Sequence, residues 1–180
     1  VLQTIVHQNK LFALTENGIW SNSVDQNNIW IQENTMGITG IQNMFVFKNQ
    51  LYFNDQQKIY PFQNNVASYQ ITSGVIQTIT VDEDRILAGI TYQNNGALIQ
   101  FNSNQSNTVL IDSTILVKPV GLLKDGNTIW VADLTKGLYE KNDQSKWFAL
   151  GGPLSAAYGS NAFSDHQLLI VDMAIKLTKP

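Results

Sequence analysis

Cysteine is absent from this 180-residue chain, and charged residues are scarce at 14%. Without cysteine there is no disulfide, no thiolate nucleophile, and no zinc or iron–sulfur site built on sulfur ligands. Lysine and arginine together number 11 against 14 acidic residues, so no basic surplus exists to neutralise phosphates. We therefore expect nucleic acid not to be a ligand of this chain.

Long apolar runs are also missing. No stretch approaches the roughly 18 consecutive apolar residues of a membrane-spanning helix, so we predict no membrane span. The chain begins at Val1 in the middle of a strand-like pattern, without Met and without the pattern of a signal peptide. We expect it to have been processed or excised from something longer.

Amide side chains take the place of the missing charge, with 19 Asn and 16 Gln in the chain. Amides keep a surface soluble, and Asn in particular tolerates the backbone geometry of tight turns. Hydrophobic residues make up 43%, which predicts a globular fold with a substantial core. The length favours one domain over residues 1–180.

A unit of four short strands recurs along the chain. Its most regular member is a turn followed by an apolar strand, with starts at residues 9, 49, 84, 127 and 166, which are 40, 35, 43 and 39 residues apart. The strands favour β-branched and aromatic residues, and no sustained 3.6-residue apolar period indicates a helix. The sequence predicts strands at 2–6, 9–14, 18–22, 28–32, 41–47, 49–54, 58–62, 68–72, 75–81, 84–89, 97–101, 108–112, 119–123, 127–132, 137–141, 146–150 and 166–171.

Four strands in each period of this length are typical of the blade of a β-propeller. We predict an all-β fold, a β-propeller with four-stranded antiparallel blades, of which about four and a half are present. The predicted blades are 1–35, 37–73, 74–113 and 114–151, with an incomplete fifth at 152–180. Two alternatives remain open: part of a propeller of about six to eight blades, or a five-bladed ring whose last blade has three strands. An open part would expose sheet edges, so the first alternative predicts instability or self-association in isolation.

A motif between the third and fourth predicted strands supports this architecture. Ser23, Asp25, Asn27 and Trp30 resemble the Asp-box, S-x-D-x-G-x-x-W, of sialidase-like propellers, with Asn in the place of Gly. Asn is among the residues that most readily adopt the left-handed conformation. The resemblance implies a structural turn in which the Asp accepts backbone hydrogen bonds and the Trp packs beneath. Sialidases clamp their substrate with three arginines, and Arg85 is the one arginine here, so these residues do not predict that activity.

Other candidate groups have weak chemical signals. Asp82, Glu83 and Asp84 form the densest acidic cluster, which favours a hairpin turn, with a calcium site as the alternative. His7 and His166 fall in equivalent turns of different blades, too far apart for a shared metal. The glycine-rich stretch 151–160 opens no helix and is interpreted as a loop between blades. We predict no catalytic, cofactor-binding or metal-binding residues, and we expect the tryptophans to pack between blades, with an exposed minority free to stack on sugars: Trp20, Trp30, Trp130 and Trp147.

The repeats themselves resemble a known group of propellers. The stretches NKLFALTENGIW and NTIWVADLTKGLY are similar to the repeats of two-component-regulator-type propellers. The stretch GLYEKNDQSKWFALGGP resembles surface propellers associated with the type IX secretion system. The resemblance implies an extracytoplasmic location (cell surface, periplasmic or secreted) and a sensing or docking role without catalysis. It transfers no functional residues, because it is a pattern of blades.

Three functions follow as expectations. The first is a non-catalytic binding or docking module of a secreted or cell-surface protein, with a protein or carbohydrate partner and with the remaining propeller polypeptide completing the fold. The second is a fragment of a propeller glycoside hydrolase or lyase whose catalytic residues lie outside this segment. The third is a spacer or assembly platform. No cofactor is expected.

Overall fold

The protein is all-β in the computed structural model, which describes residues 1–25, 29–102, 106–148, 162–165 and 168–171. Eighteen strands form four antiparallel four-stranded sheets and one two-stranded sheet, and the described residues contain no helix. The prediction of an all-β fold with four-stranded antiparallel sheets is thereby confirmed. No helix in this part of the chain is long and apolar enough to cross a membrane.

Each sheet is built from strands that follow one another along the chain. Sheet 1 contains β1–β4, sheet 2 β5–β8, sheet 3 β9–β12 and sheet 4 β13–β16, while β17 pairs with β18. The strands are β1 (Gln3–His7), β2 (Lys10–Thr15), β3 (Gly18–Ser23), β4 (Ile31–Gln32), β5 (Asn43–Phe47), β6 (Gln50–Asn54), β7 (Lys58–Pro61), β8 (Tyr69–Gln70), β9 (Val75–Asp82), β10 (Arg85–Tyr92), β11 (Asn95–Phe101), β12 (Asn107–Ile111), β13 (Pro119–Asp125), β14 (Thr128–Asp133), β15 (Gly137–Lys141), β16 (Lys146–Phe148), β17 (Ala162–Asp165) and β18 (Leu168–Val171).

The first hairpin of each of these four sheets turns through two residues. The registers His7↔Lys10, Phe47↔Gln50, Asp82↔Arg85 and Asp125↔Thr128 leave a two-residue loop in every case. Such loops need positive φ, and Asn9 at +62°, Asn49 at +58° and Gly126 at +52° supply it. Gly126 thus lies in the turn that precedes β14.

The core lies between successive sheets. We call the face that packs on the preceding sheet the front face and the opposite one the back face. The back face of sheet 1 packs on the front face of sheet 2, and the next two pairs repeat the arrangement. The three interfaces contain Phe12, Leu14 and Ile19 against Met44, Leu51, Phe53 and Tyr60; Phe45, Phe47 and Ile59 against Ile86, Ala88 and Ile99; and Leu87, Leu98 and Ile111 against Leu122, Val131 and Tyr139.

The first strands of the sheets lie side by side in chain order. Strand β1 contacts β5, β5 contacts β9, β9 contacts β13, and β13 contacts β17. The fourth strand of sheets 1 and 2 is only two residues long, shorter than the predicted 28–32 and 68–72. Strand β4 contributes little to the core, because Ile31 is 59% exposed. Strand β8 contributes Tyr69, whose ring lies 5.5 Å from the ring of Phe101, while Gln70 is exposed.

Candidate docking surface

The longest loops lie at one end of the sheets. It contains the turns between second and third strands at 16–17, 55–57, 93–94 and 134–136, together with the connections between sheets at 33–42, 71–74 and 112–118. We call this surface the connector end. Backbone hydrogen bonds hold this end together: Gln42 N donates to Asn54 O at the end of β6 at 2.9 Å, and Ile71 N donates to Gln57 O at 2.9 Å.

Asp133 fixes the connector end of sheet 4. It ends β14 and is only 2% exposed. Its Oδ2 accepts the backbone N–H groups of Val117 and Lys118, both at 2.8 Å, and its Oδ1 accepts those of Thr135 and Lys136 at 2.9 and 3.0 Å. One carboxylate therefore satisfies four backbone donors and ties the connection between sheets to the turn beyond it.

Asp55 has a comparable place in sheet 2. Its Oδ1 accepts the N–H groups of Gln57 and Lys58 at 2.8 and 2.7 Å, and its Oδ2 accepts the Tyr60 hydroxyl at 2.9 Å. Burial of the ring, the hydrogen bond to Asp55 and the charge of that carboxylate raise the pKa of Tyr60 to about 12. The phenol is therefore a proton donor within the fold across the physiological pH range.

Asp112 organises the connection that follows sheet 3. Its Oδ1 accepts both the hydroxyl and the N–H of Thr114, while its carbonyl oxygen accepts the N–H groups of Ile115 and Leu116. The side-chain and backbone bonds from Thr114 lower the pKa of the Asp112 carboxyl below its usual value. The hydrogen bonds of the turn therefore stabilise the charged carboxylate, and the charged carboxylate stabilises the turn.

The surface that these anchors support is rich in exposed amides. Asn17, Gln56, Gln57, Gln93 and Asn94 are exposed on the turns between second and third strands. An amide carries a donor and an acceptor on one group, so a row of them matches the hydroxyls of a sugar or the peptide groups of a protein. The connector end is consequently suited to polar recognition, and exposed charges lie among its amides: Glu16, Asp112, Lys118 and Lys136.

The Asp-box positions lie at the opposite end of sheet 1. Ser23 ends β3, and Val24 N donates to Asn9 O at 3.0 Å, while the Asn9 side-chain amide donates to the carboxylate of Asp25. Trp30 is 41% exposed. Asn27 falls outside the described residues, so the turn of the motif is not defined and the Asp-box remains a prediction.

The other predicted candidates occupy separate places. Asp82 pairs with Arg85 at 2.6 Å and lies 3.7 Å from the Lys124 ammonium, so two cations already engage its carboxylate in the predicted hairpin turn. His7 ends β1, whereas His166 and the stretch 151–160 lie outside the described residues. In the part of the chain that the structure describes, no three His, Asp or Glu side chains cluster closely enough to hold a metal ion.

The tryptophans divide between core and surface. Trp147 packs against Tyr139, with ring centroids 4.8 Å apart, beside the interface of sheets 3 and 4. Trp20, Trp130 and Trp147 are half-buried, whereas Trp30 is 41% exposed.

Sequence reasoning missed the anchoring carboxylates of the connector end. Their signal was present in the repeat, because a polar residue follows the second strand's apolar core in each of three periods: Thr15, Asp55 and Asp133. Thr15 acts in the same way on a smaller scale, since its hydroxyl accepts the Asn17 N–H at 3.2 Å. Side chains of this kind commonly cap a turn two or three residues ahead.

Comparison with known proteins supplies no further assignment: no family model matches the chain, and no curated protein matches it.

Proposed function

We propose that this chain is a segment of a β-propeller that serves as a non-catalytic docking module. The observation that carries the proposal is the order of the sheets: their first strands lie side by side, and each sheet packs its back face on the front face of the next. A β-propeller is built from sheets that are stacked in this way around their innermost strands. The remaining propeller polypeptide would complete the ring.

The placement of the carboxylates supports docking over catalysis. A glycosidase needs two carboxyl groups facing one another across a substrate cleft. Here Asp82 is engaged by two cations, Asp133 by four backbone donors, and Glu33 by the Ser21 hydroxyl at 2.6 Å. Each of these groups thus stabilises local structure.

The proposed contact surface is the connector end, and the proposed partner is a protein or a glycan. Exposed amides such as Gln93 and Asn94 offer paired donors and acceptors to either class. The resemblance of the repeats to surface and sensor propellers supports an extracytoplasmic location for this recognition.

An array of neutral oligosaccharides provides the first test. We expect the wild-type chain to bind. The Asn94→Arg variant should not bind, because it places a long charged side chain on the connector end. The matched control is Asn127→Arg, because Asn127 is also an exposed turn amide but lies at the opposite end of sheet 4. Equal loss of binding in both variants would contradict the assigned surface. Cleavage of any bound oligosaccharide would contradict the non-catalytic role, and binding to no sugar would leave the protein partner as the proposal.

A further inference from the structure

Two asparagines of this chain are followed directly by glycine, and the two pairs lie in different surroundings. Asn17–Gly18 leads from the turn after β2 into β3, and Asn95–Gly96 begins β11. The side-chain carbon of an asparagine can be attacked by the backbone nitrogen of the next residue, most easily when that residue is glycine, which has no Cβ to hinder the approach. The reaction also requires that the backbone of the pair can move.

The backbone of Gly96 is held in place. Its N–H donates to the Leu116 carbonyl oxygen at 3.1 Å, so the nitrogen that would attack Asn95 is engaged. A Cβ on Gly96 would come within 2.5 Å of Pro119 Cδ and 2.8 Å of the Val117 carbonyl oxygen. Reaction at Asn95 would therefore require the contact between sheet 3 and the following connection to open first.

Gly18 has more open surroundings. Among the described residues, the nearest atom that a Cβ on Gly18 would meet is Gln32 Nε2, at the ordinary contact distance of 3.6 Å. Gly18 forms the last register pair of β2 and β3, opposite Thr15, and the ends of paired strands open more readily than their middles. Asn17 is exposed, and its carbonyl oxygen accepts a hydrogen bond from Gln32 Nε2 at 3.0 Å. This bond polarises the peptide group between Asn17 and Gly18, which makes the proton on the Gly18 nitrogen easier to remove.

We propose that Asn17 is a site of spontaneous deamidation. The Gly18 nitrogen loses its proton to solvent base and attacks Asn17 Cγ, so that an N–Cγ bond forms, the Cγ–Nδ2 bond breaks and Nδ2 leaves as ammonia. Water then opens the five-membered succinimide ring at one of its two carbonyl groups, which gives aspartate or isoaspartate. Overall one water is consumed and one ammonia is released, and nothing is oxidised or reduced.

The products change the connector end. Conversion replaces the neutral amide of Asn17 by a carboxylate beside the exposed Glu16, and isoaspartate also adds a methylene to the backbone of this turn. An effect on recognition at the connector end rests on the proposed function, whereas the deamidation does not. A measurement of the modification therefore tests it whether or not this surface docks a partner.

Peptide mapping by mass spectrometry tests the proposal on the purified full chain, kept folded in mildly alkaline buffer at body temperature. We expect conversion at Asn17 to be at least about tenfold faster than at Asn95, because the Gly96 hydrogen bond and its packing must be lost before Asn95 can react. The matched control is the same chain unfolded in urea, in which the two pairs should convert at similar rates. Asn17→Gln keeps an amide at the site but would have to close a larger ring, so the folded variant should release ammonia more slowly than wild type.

Three results would overturn the proposal. They are a folded chain in which Asn95 converts as fast as Asn17 or faster, a folded chain in which neither converts, and a preference for Asn17 that is as large in urea as in the folded chain. The last result would assign the preference to the neighbouring sequence and not to the fold. The rate at Asn17 should also rise with pH, because the attacking nitrogen must first lose its proton, and a rate independent of pH would reject the succinimide route.

Discussion

At the scale of single residues, Asp133 holds more backbone groups in place than Asp82, Glu83 or Asp84, the acids that the sequence singled out. Asp133→Asn keeps the shape of the side chain but replaces one acceptor oxygen by a donor that faces two backbone N–H groups. We expect the free energy of unfolding to fall by about 2 to 4 kcal/mol, because buried donors lose a charged acceptor. Urea unfolding measures the change. Asp84→Asn is the control, since that side chain is 76% exposed and should matter by less than about 1 kcal/mol; similar losses in both variants would contradict the anchoring role.

Tyr60 gives a prediction about alkaline pH. Its pKa is raised from 10.0 to about 12 by burial and by the hydrogen bond to Asp55, so the folded chain holds the phenolic proton more tightly than the unfolded chain. The resulting stabilisation is fully present below pH 10 and is lost as the pH rises from 10 through 12. Tyr60→Phe should flatten this part of the curve of unfolding free energy against pH. A variant with the same alkaline loss as wild type would show that another group is responsible.

At the scale of elements, Gly96 determines how closely sheet 3 meets the connection to sheet 4. A Cβ on Gly96 would lie 2.5 Å from Pro119 Cδ and 2.8 Å from the Val117 carbonyl oxygen. We expect Gly96→Ala to cost about 2 kcal/mol or more in unfolding free energy, since neither backbone segment can give way. Gly126→Ala is the comparison: it has open space but a φ of +52°, so its cost should be nearer 1 kcal/mol. The reverse order would show that the connection adjusts freely.

The strands themselves were largely predictable from the sequence, because alternation and turn chemistry are local. NKLFAL, NQLYFN and NTIWVA each contain the strand that the repeat indicated. The Asp133 network was not predictable in this way: its partners Val117 and Lys118 are 16 and 15 residues away, and only the packing of the connection brings their N–H groups to the carboxylate. The composition indicated a surface rich in amides. Its location at the connector end depends on how the sheets stack, which the composition does not indicate.

At the scale of the whole molecule, the stacked sheets differ in how many of their faces are covered. Among the described residues, sheets 2 and 3 are covered on both faces by their neighbours, whereas sheet 1 is covered only on its back face. Stacked units that contact only their neighbours gain stability from each interface they make, so an end unit with one interface opens more readily than a central one. The sequence pattern of the two strands β2 and β10 is similar, and only their place in the array differs.

Hydrogen exchange followed by mass spectrometry makes this difference measurable. At low protein concentration we expect the amides of β10 to exchange at least about tenfold more slowly than those of β2, which corresponds to about 1.4 kcal/mol between their opening free energies. Equal protection of β2 and β10 in dilute solution would mean that sheet 1 is already covered within the single chain, through closure of the ring by its own last sheet.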